Sequence, residues 1–276
     1  MRGDNKAYHV PALRTFYPPW LNLCSHTVKP IIMPEGPSIL ILKEKVQQFK
    51  GDKVIAASCN NGTLDTDMLT DQTITDFKSW GKHFLICFPK FTIRIHMMMF
   101  GTYRINQHTE KPPRLHLQFE DGELNFYACL LQLIEQPLDE VYDWQADIMS
   151  EEWDTKKAIK KMKTKPKLLA CDALMDQQIF SGVGNIIKNE VLFRTRIHPE
   201  SLISAMPLKK VNEMINEAIK YSFEFLEQKK AGTLKKHWQA YHKKECPRNH
   251  IPIIENDTGR SHRASFYCEK CQVMYK

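Results

Sequence analysis

Residues Met33-Pro34-Glu35-Gly36-Pro37 set a proline, a carboxylate and a glycine in a row behind a methionine. Inside a chain a proline nitrogen is a tertiary amide and chemically inert, and the segment is then a stiff loop ahead of a helix. If Met33 marks the start of the working protein, Pro34 becomes a terminal secondary amine. An α-amino group titrates near pH 8 against about 10.4 for a lysine, so far more of it is neutral and nucleophilic. Attack on a sugar C1′ would give a cationic Schiff base, which divides one difficult step into two. Glu35 is then placed to protonate the ring oxygen of that sugar.

A second group lies in Met175–Pro199, MDQQIFSGVGNIIKNEVLFRTRIHP. The pattern predicts a helix entering at Asp176, a glycine-built turn Ser181-Gly182-Val183-Gly184-Asn185, and a second helix from Ile186. Glycines such as Gly184 let the backbone approach a ligand, and amides opening the second helix carry partial positive charge, so a phosphate fits there. Asn185 would add a side-chain donor. The glycines alone suit a plain helix–helix turn; the surrounding lysines favour phosphate. Such contacts fix the register on a duplex without reading its sequence.

The third group is Cys246-Pro247-Arg248-Asn249-His250, then Cys268-Glu269-Lys270-Cys271. Two CxxC knuckles about twenty residues apart close a tetrahedral zinc site. Here the second knuckle is intact, and Asn249 stands where the first needs its other cysteine. His250, one position on, would complete a Cys3His set. The zinc-free alternative is a β-hairpin held by Phe266 and Tyr267. Between the knuckles Arg260, His262 and Arg263 fall at the hairpin tip, where they suit backbone phosphate.

These groups need a scaffold, and the chain has enough length and apolar content to build one. It has 276 residues, 42% hydrophobic, with a formal charge of +7, which favours an anionic partner. Seven lysines fall between Asp154 and Lys167, and six more between Lys229 and Lys244 with no acidic residue among them. Solvated helix faces or a linker are the plain reading of both runs, and phosphate contact the sharper one. After Pro37, Ile39, Leu42, Val46 and Phe49 recur at helical spacing up to Gly51. From Lys53 to Glu135, short runs such as HFLICF, FTIRIHM, RLHLQFE and ELNFYACLLQLI, separated by turn residues, read as an antiparallel sheet or sandwich. Helical periodicity returns from Asp154 to Lys230, ahead of a small Cys- and His-bearing module. Cys59, Cys87, Cys129 and Cys171 stand alone in apolar surroundings, as buried thiols of a reducing compartment do. No apolar run is long enough to span a membrane. Residues 1–32 lack either periodicity and the apolar core of a secretory signal; they read as an organelle transit peptide or as an extension upstream of a misplaced start.

Three motifs in order, MPEGP, DQQIFSGVGNIIKNEVLFRTRIHP and RASFYCEKCQ, resemble those of the bacterial formamidopyrimidine-DNA glycosylase and endonuclease VIII family from Met33 to the end of the chain. The resemblance implies an α+β protein: an N-terminal helix with an antiparallel β-sandwich (33–150), a helical domain with a helix-two-turn-helix (151–235), and a C-terminal zinc-finger-like hairpin (236–276). It implies a bifunctional glycosylase and abasic-site lyase for oxidised bases, working as a monomer on double-stranded DNA in a bacterial cytoplasm. Carried over, Pro34 is the nucleophile and Glu35 the general acid, and Lys82 contacts phosphate beside the lesion and assists catalysis. Asn185 and Arg263 grip the flanking phosphates. Met98, Met99 and Phe100 align with the wedge that fills the space left by an extruded base, with core packing as their plain alternative. Zinc is structural, with no metal in the chemistry. FYACLLQLI in place of an RRF-type loop, and the short QKKAGTLKKHW, point to the endonuclease VIII-like branch and to oxidised pyrimidines. The rival from another class is a non-catalytic binder of damaged or abasic DNA, which a retained leader would produce.

Overall fold

Gly36–Lys45 forms helix α1, entered through Glu35, with Pro37 in the first turn, where a missing N–H costs nothing. This computed structural model describes residues 34–60, 62 and 64–276, so the leader and Met33 lie outside the described residues. Ile39, Leu42, Val46 and Phe49 are all buried, as their spacing requires. The α-helix itself stops at Lys45; a 3-10 turn over Gln47–Phe49 carries Phe49 inward, and Gly51 closes it at φ +93°.

Eight strands follow: β1 (Ala56–Cys59), β2 (Asp76–Trp80), β3 (His83–Cys87), β4 (Thr92–His96), β5 (Thr102–Ile105), β6 (Leu115–Phe119), β7 (Gly122–Tyr127) and β8 (Leu130–Ile134). They form two four-stranded antiparallel sheets, ordered β1-β6-β7-β5 and β2-β3-β4-β8. Phe77, Phe84, Ile93 and Ile95 of one sheet meet Leu115, Leu117, Phe119 and Phe126 of the other in a core that α1 completes. β6 alternates because one face is solvated, whereas β3 reads as a continuous apolar run because Trp80 and Tyr142 cover Leu85 and Cys87 on its other face. ELNFYACLLQLI is corrected from one run to two strands in different sheets: Ala128 takes φ +50° and turns the chain from β7 into β8.

The helical part comprises α2 (Leu138–Val141), α3 (Thr155–Lys163), α4 (Ala170–Met175), α5 (Asn185–Arg194) and α6 (Leu208–Lys230). Asp154 caps α3 by accepting from the amides of Lys156 and Lys157. Along α6, Val211, Met214, Ile215, Ala218, Tyr221, Ser222 and Phe225 form its buried stripe. A two-stranded hairpin of β9 (Ile254–Thr258) and β10 (Arg263–Tyr267) ends the fold, packed on Phe193 and Ala240. The architecture is the α+β one expected: sandwich, helical domain and C-terminal hairpin with its cysteines. Among the described residues no helix is long and apolar enough to cross a membrane.

Candidate functional site

Glu35 ends the extended segment before α1, and its side chain crosses to the helical domain, where it is 1% exposed. Its Oε1 accepts from the Ile186 amide at 2.7 Å, and its Oε2 from Gly184 at 3.1 Å and Ile187 at 3.2 Å. The N-terminus of α5 is thus an anion site, as expected, but its occupant is this carboxylate and not a phosphate. The helix entry is corrected too. The first helix of the pair, α4, ends before Asp176, whose carboxylate accepts from Gln178 in a turn, while the Gln177 side chain spans that turn to Gly182 and Val183. Burial pushes the Glu35 carboxyl above its usual range, against Lys82 and the three amides, which pull it down.

Glycines permit this approach. The Gly36 amide donates to the Gly182 oxygen at 2.8 Å, and a Cβ on Gly36 would lie 2.9 Å from Gly182 Cα. A Cβ on Gly81, in the β2–β3 turn, would lie 2.0 Å from Ser181 Oγ. The Gly81 amide donates to the buried Asp147 carboxylate at 2.8 Å. Three backbone segments therefore meet with no room for side chains between them.

Lys82 follows directly. Burial pulls its ammonium below the ordinary lysine value; Arg263 pulls it the same way and Glu35 opposes them. Pro34 is bonded to Glu35 and Lys82 lies close enough for its charge to act on the Glu35 carboxyl, so the three residues share one neighbourhood. Asn185 opens α5 and donates from Nδ2 to the Ala264 oxygen at 3.1 Å, beside Arg263 at the start of β10. The Gly184 amide is spent on Glu35. Met98, Met99 and Phe100 are 43%, 43% and 60% exposed in the turn after β4, so core packing does not account for them. Met98 sits at φ +50° with its Sδ 3.1 Å from His96 Nδ1.

Cys246, Cys268 and Cys271 bring their Sγ atoms within 4.8 Å of one another. Cys246 and Cys271 are 3.9 Å apart, close to the roughly 3.8 Å edge of a tetrahedron with Zn–S bonds of about 2.3 Å. Three thiolates of a zinc site therefore fit, and Arg248 Nη1, 3.7 Å from Cys271 Sγ, offsets their charge. The structure does not bring His250 to this trio, which corrects the Cys3His set. With φ +55° its ring turns outward to Glu245, Nδ1 to Oε1 2.7 Å, while Asn249 Oδ1 lies 3.5 Å from Cys268 Sγ. Part of the lysine runs is paired within the protein: Lys157 and Lys161 with Asp143, Lys165 with Asp176 and Lys230 with Glu44.

Sequence reasoning missed Lys188, Glu190 and Lys229. Lys188 and Glu190 are buried in α5, where Glu190 accepts the amides of Gln239, Ala240 and Tyr241. A helix with no polar face that still carries Lys and Glu was the available signal. Lys229, at the end of α6, donates to Ser38 Oγ at 2.7 Å, and no pattern in the sequence joins those two positions.

Comparison with known proteins agrees with this geometry. Residues 33–129 match the model of the formamidopyrimidine-DNA glycosylase N-terminal domain, and residues 145–236 that of the formamidopyrimidine-DNA glycosylase H2TH domain. Endonuclease 8-like 2 of Bos taurus is 32% identical over 195 residues, 65% of this chain and 58% of that protein. The Mus musculus protein of that name is 34% identical over 163 residues, 58% of this chain and 48% of its own. Endonuclease 8-like 3 of Xenopus laevis is 27% identical over 221 residues, 75% of this chain and 36% of its own. The chain thus spans about half the length of the curated relatives it matches first. These relatives are vertebrate proteins and lend no support to a bacterial setting. A viral DNA glycosylase shares the fold with a TM-score of 0.76 at 22% identity, over 87% of this chain and 100% of its own. The Lactococcus lactis formamidopyrimidine-DNA glycosylase bound to DNA containing an abasic site does so at 0.77 and 22%, over 86% and 99%.

Proposed function

Because this chain belongs to the formamidopyrimidine-DNA glycosylase family, we propose that it is a bifunctional DNA glycosylase and abasic-site lyase that removes oxidised bases, pyrimidines in preference. The observation that carries this reading is the Glu35 carboxyl, buried directly after Pro34 between Lys82 and the amides of α5. A carboxyl whose pKa is raised by burial is a competent proton donor near neutral pH. Pro34, freed of the residues before it, attacks C1′ of an extruded nucleotide while Glu35 protonates the ring oxygen. The base leaves, and β- then δ-elimination through the Schiff base nicks the strand.

Lys82, Asn185 and Arg263 hold the phosphates around that nucleotide, with Gly184 supporting them by seating Glu35. The exposed Met98, Met99 and Phe100 fill the space it vacates. Zinc would be held by Cys246, Cys268 and Cys271, with Asn249 the side chain nearest the fourth corner, and would brace the hairpin that carries Arg263. One duplex along one groove requires a single copy. The domain limits 33–150, 151–235 and 236–276 go with this reading.

Borohydride trapping on an abasic-site duplex tests it, with intact mass showing that the protein begins at Pro34. A covalent adduct is expected; a gel shift with no adduct would leave a non-catalytic binder of damaged DNA. Glu35→Gln should lower excision about 10²–10⁴-fold and leave duplex affinity unchanged, whereas parallel loss of both would make Glu35 structural.

A further inference from the structure

Asn185, Lys188 and Asn189 share the face of α5 that meets the C-terminal hairpin, one turn apart. Their donors converge on the Ala264 oxygen: Asn185 Nδ2 at 3.1 Å, Lys188 Nζ at 3.2 Å and Asn189 Nδ2 at 3.2 Å. A carbonyl offers two lone pairs, so three donors on one oxygen make a crowded grip. Lys188 Nζ also donates to Ser265 Oγ at 2.8 Å, which lies 2.6 Å from Thr258 Oγ1 on the paired strand. Asn189 Oδ1 accepts the Phe266 amide at 2.8 Å. The helix thereby holds β10 at positions 264, 265 and 266, next to Arg263.

Packing a hairpin on a helix does not call for an ammonium. Lys188 is 1% exposed, and among the described residues no carboxylate lies within ion-pairing distance of it. Burying a charge so poorly compensated is costly, and a methionine of similar volume would pack there with less expense. Burial pulls the Lys188 ammonium down to about 8; Cys171, Glu35 and Asp172 oppose that pull and Arg263 adds to it. Cations at 188 and 263 therefore raise each other's energy in the free protein, and an arriving phosphate relieves both.

We propose that Lys188 is a positioning residue for DNA binding: its grip on the Ala264 carbonyl fixes Arg263 and Asn185 relative to each other, and its charge adds to the field that receives the phosphates. The proposal rests on the reading of Arg263 and Asn185 given above. Its test is a double-mutant cycle on the full protein, with Lys188→Met, Arg263→Ala and the pair, read by equilibrium binding to a duplex carrying an abasic-site analogue, by single-turnover excision and by thermal melting.

Lys188→Met should weaken binding about tenfold, lower the salt dependence of binding by about one phosphate contact, and add little in the Arg263→Ala background. Asn189→Ala, which removes one donor and keeps the charge, should give a smaller loss, again absent without Arg263, and serves if Lys188→Met does not fold. A residue with a merely structural role would lower the melting temperature and show no coupling to Arg263. Wild-type affinity in Lys188→Met, or losses that multiply with Arg263→Ala, would overturn the proposal. If the wild-type protein itself neither binds nor cleaves the duplex, the reading of the site fails first and this proposal falls with it.

Discussion

Gly184→Ala puts the seating of Glu35 to a direct test. A Cβ on Gly184 would lie 2.4 Å from Glu35 Cδ, 2.5 Å from Cγ and 2.7 Å from Oε1. Nothing in the backbone forbids alanine, since Gly184 sits at φ −121° and ψ −164°, open to any residue. Carbon atoms pack at about 3.5–4.0 Å, so Glu35 must retreat by ~1 Å. The bonds to Oε2, already 3.1 and 3.2 Å long, would then break. Hydrogen bonds to a charged group contribute about 1.5–3 kcal/mol each. With solvent recovering part of two such bonds, the variant should lose about 2–4 kcal/mol, which lowers the melting temperature by about 5–15 °C in a protein of this size. A ~1 Å misplacement of a reacting group costs about 100-fold in rate, so single-turnover excision, measured well below the melting point, should fall by that factor with affinity little changed. Glu35→Ala removes the partner in the clash, so Glu35→Ala/Gly184→Ala should melt with Glu35→Ala alone. Wild-type excision in Gly184→Ala, or a double variant as far below Glu35→Ala as Gly184→Ala is below the parent, would refute the reasoning.

Purified protein should contain one zinc per chain by elemental analysis, and Cys268→Ser should release it and lower the melting temperature; metal-free wild type of unchanged stability would show that the thiol trio has no metal role. His83 supplies a pH prediction, because burial chiefly, with Arg94, His96 and Lys82, lowers its pKa to about 3. Above about pH 6.5 the ring is neutral in folded and unfolded chains alike. Between that pH and about 3 the unfolded chain takes up a proton that the folded one resists, so stability falls on acidification. From pH 7 to 4.5 the loss should be about 2 kcal/mol by urea unfolding, and His83→Gln should lack that share of the slope. Parallel slopes in the two proteins would contradict it.

Much of the fold was legible because local pattern and tertiary role coincide. Ile39, Leu42, Val46 and Phe49 mark the buried face of α1, and the alternation in β6 marks its one solvated side. The turn from β7 into β8 was not legible, since it depends on Ala128 at φ +50°, a residue with no preference for that conformation. The site divided in the same way. The GVGN turn announced an anion site at the start of a helix, yet Glu35, about 150 residues earlier, fills it; sequence reasoning saw both halves and assigned the helix a phosphate. Lysine charge was legible in number but not in pairing, because Asp143 and Asp176 become partners of Lys157, Lys161 and Lys165 only after folding. His250 was chosen by ligand chemistry, and the backbone at Asn249 and His250 set which of the two faces the thiols.

Seating an acid at a helix N-terminus looks self-defeating, since three amides and Lys82 all favour its ionised form. Burial outweighs them and leaves the net shift upward, so the carboxyl is held rigidly without being locked as an anion. Rigidity and proton donation usually conflict, because the hydrogen bonds that orient a carboxylate also stabilise its charge. Here the conflict is resolved by burial of the carboxyl, which the glycines permit: Gly36 against Gly182, Gly81 against Ser181 and Gly184 against Glu35 bring sandwich and helices into close contact. The three α5 amides that hold the Glu35 carboxyl come from residues 184–187, while Pro34 and Lys82 belong to the sandwich side. The acid is therefore completed by the docking of the two parts, and the same contact sets its position and the direction of its pKa shift.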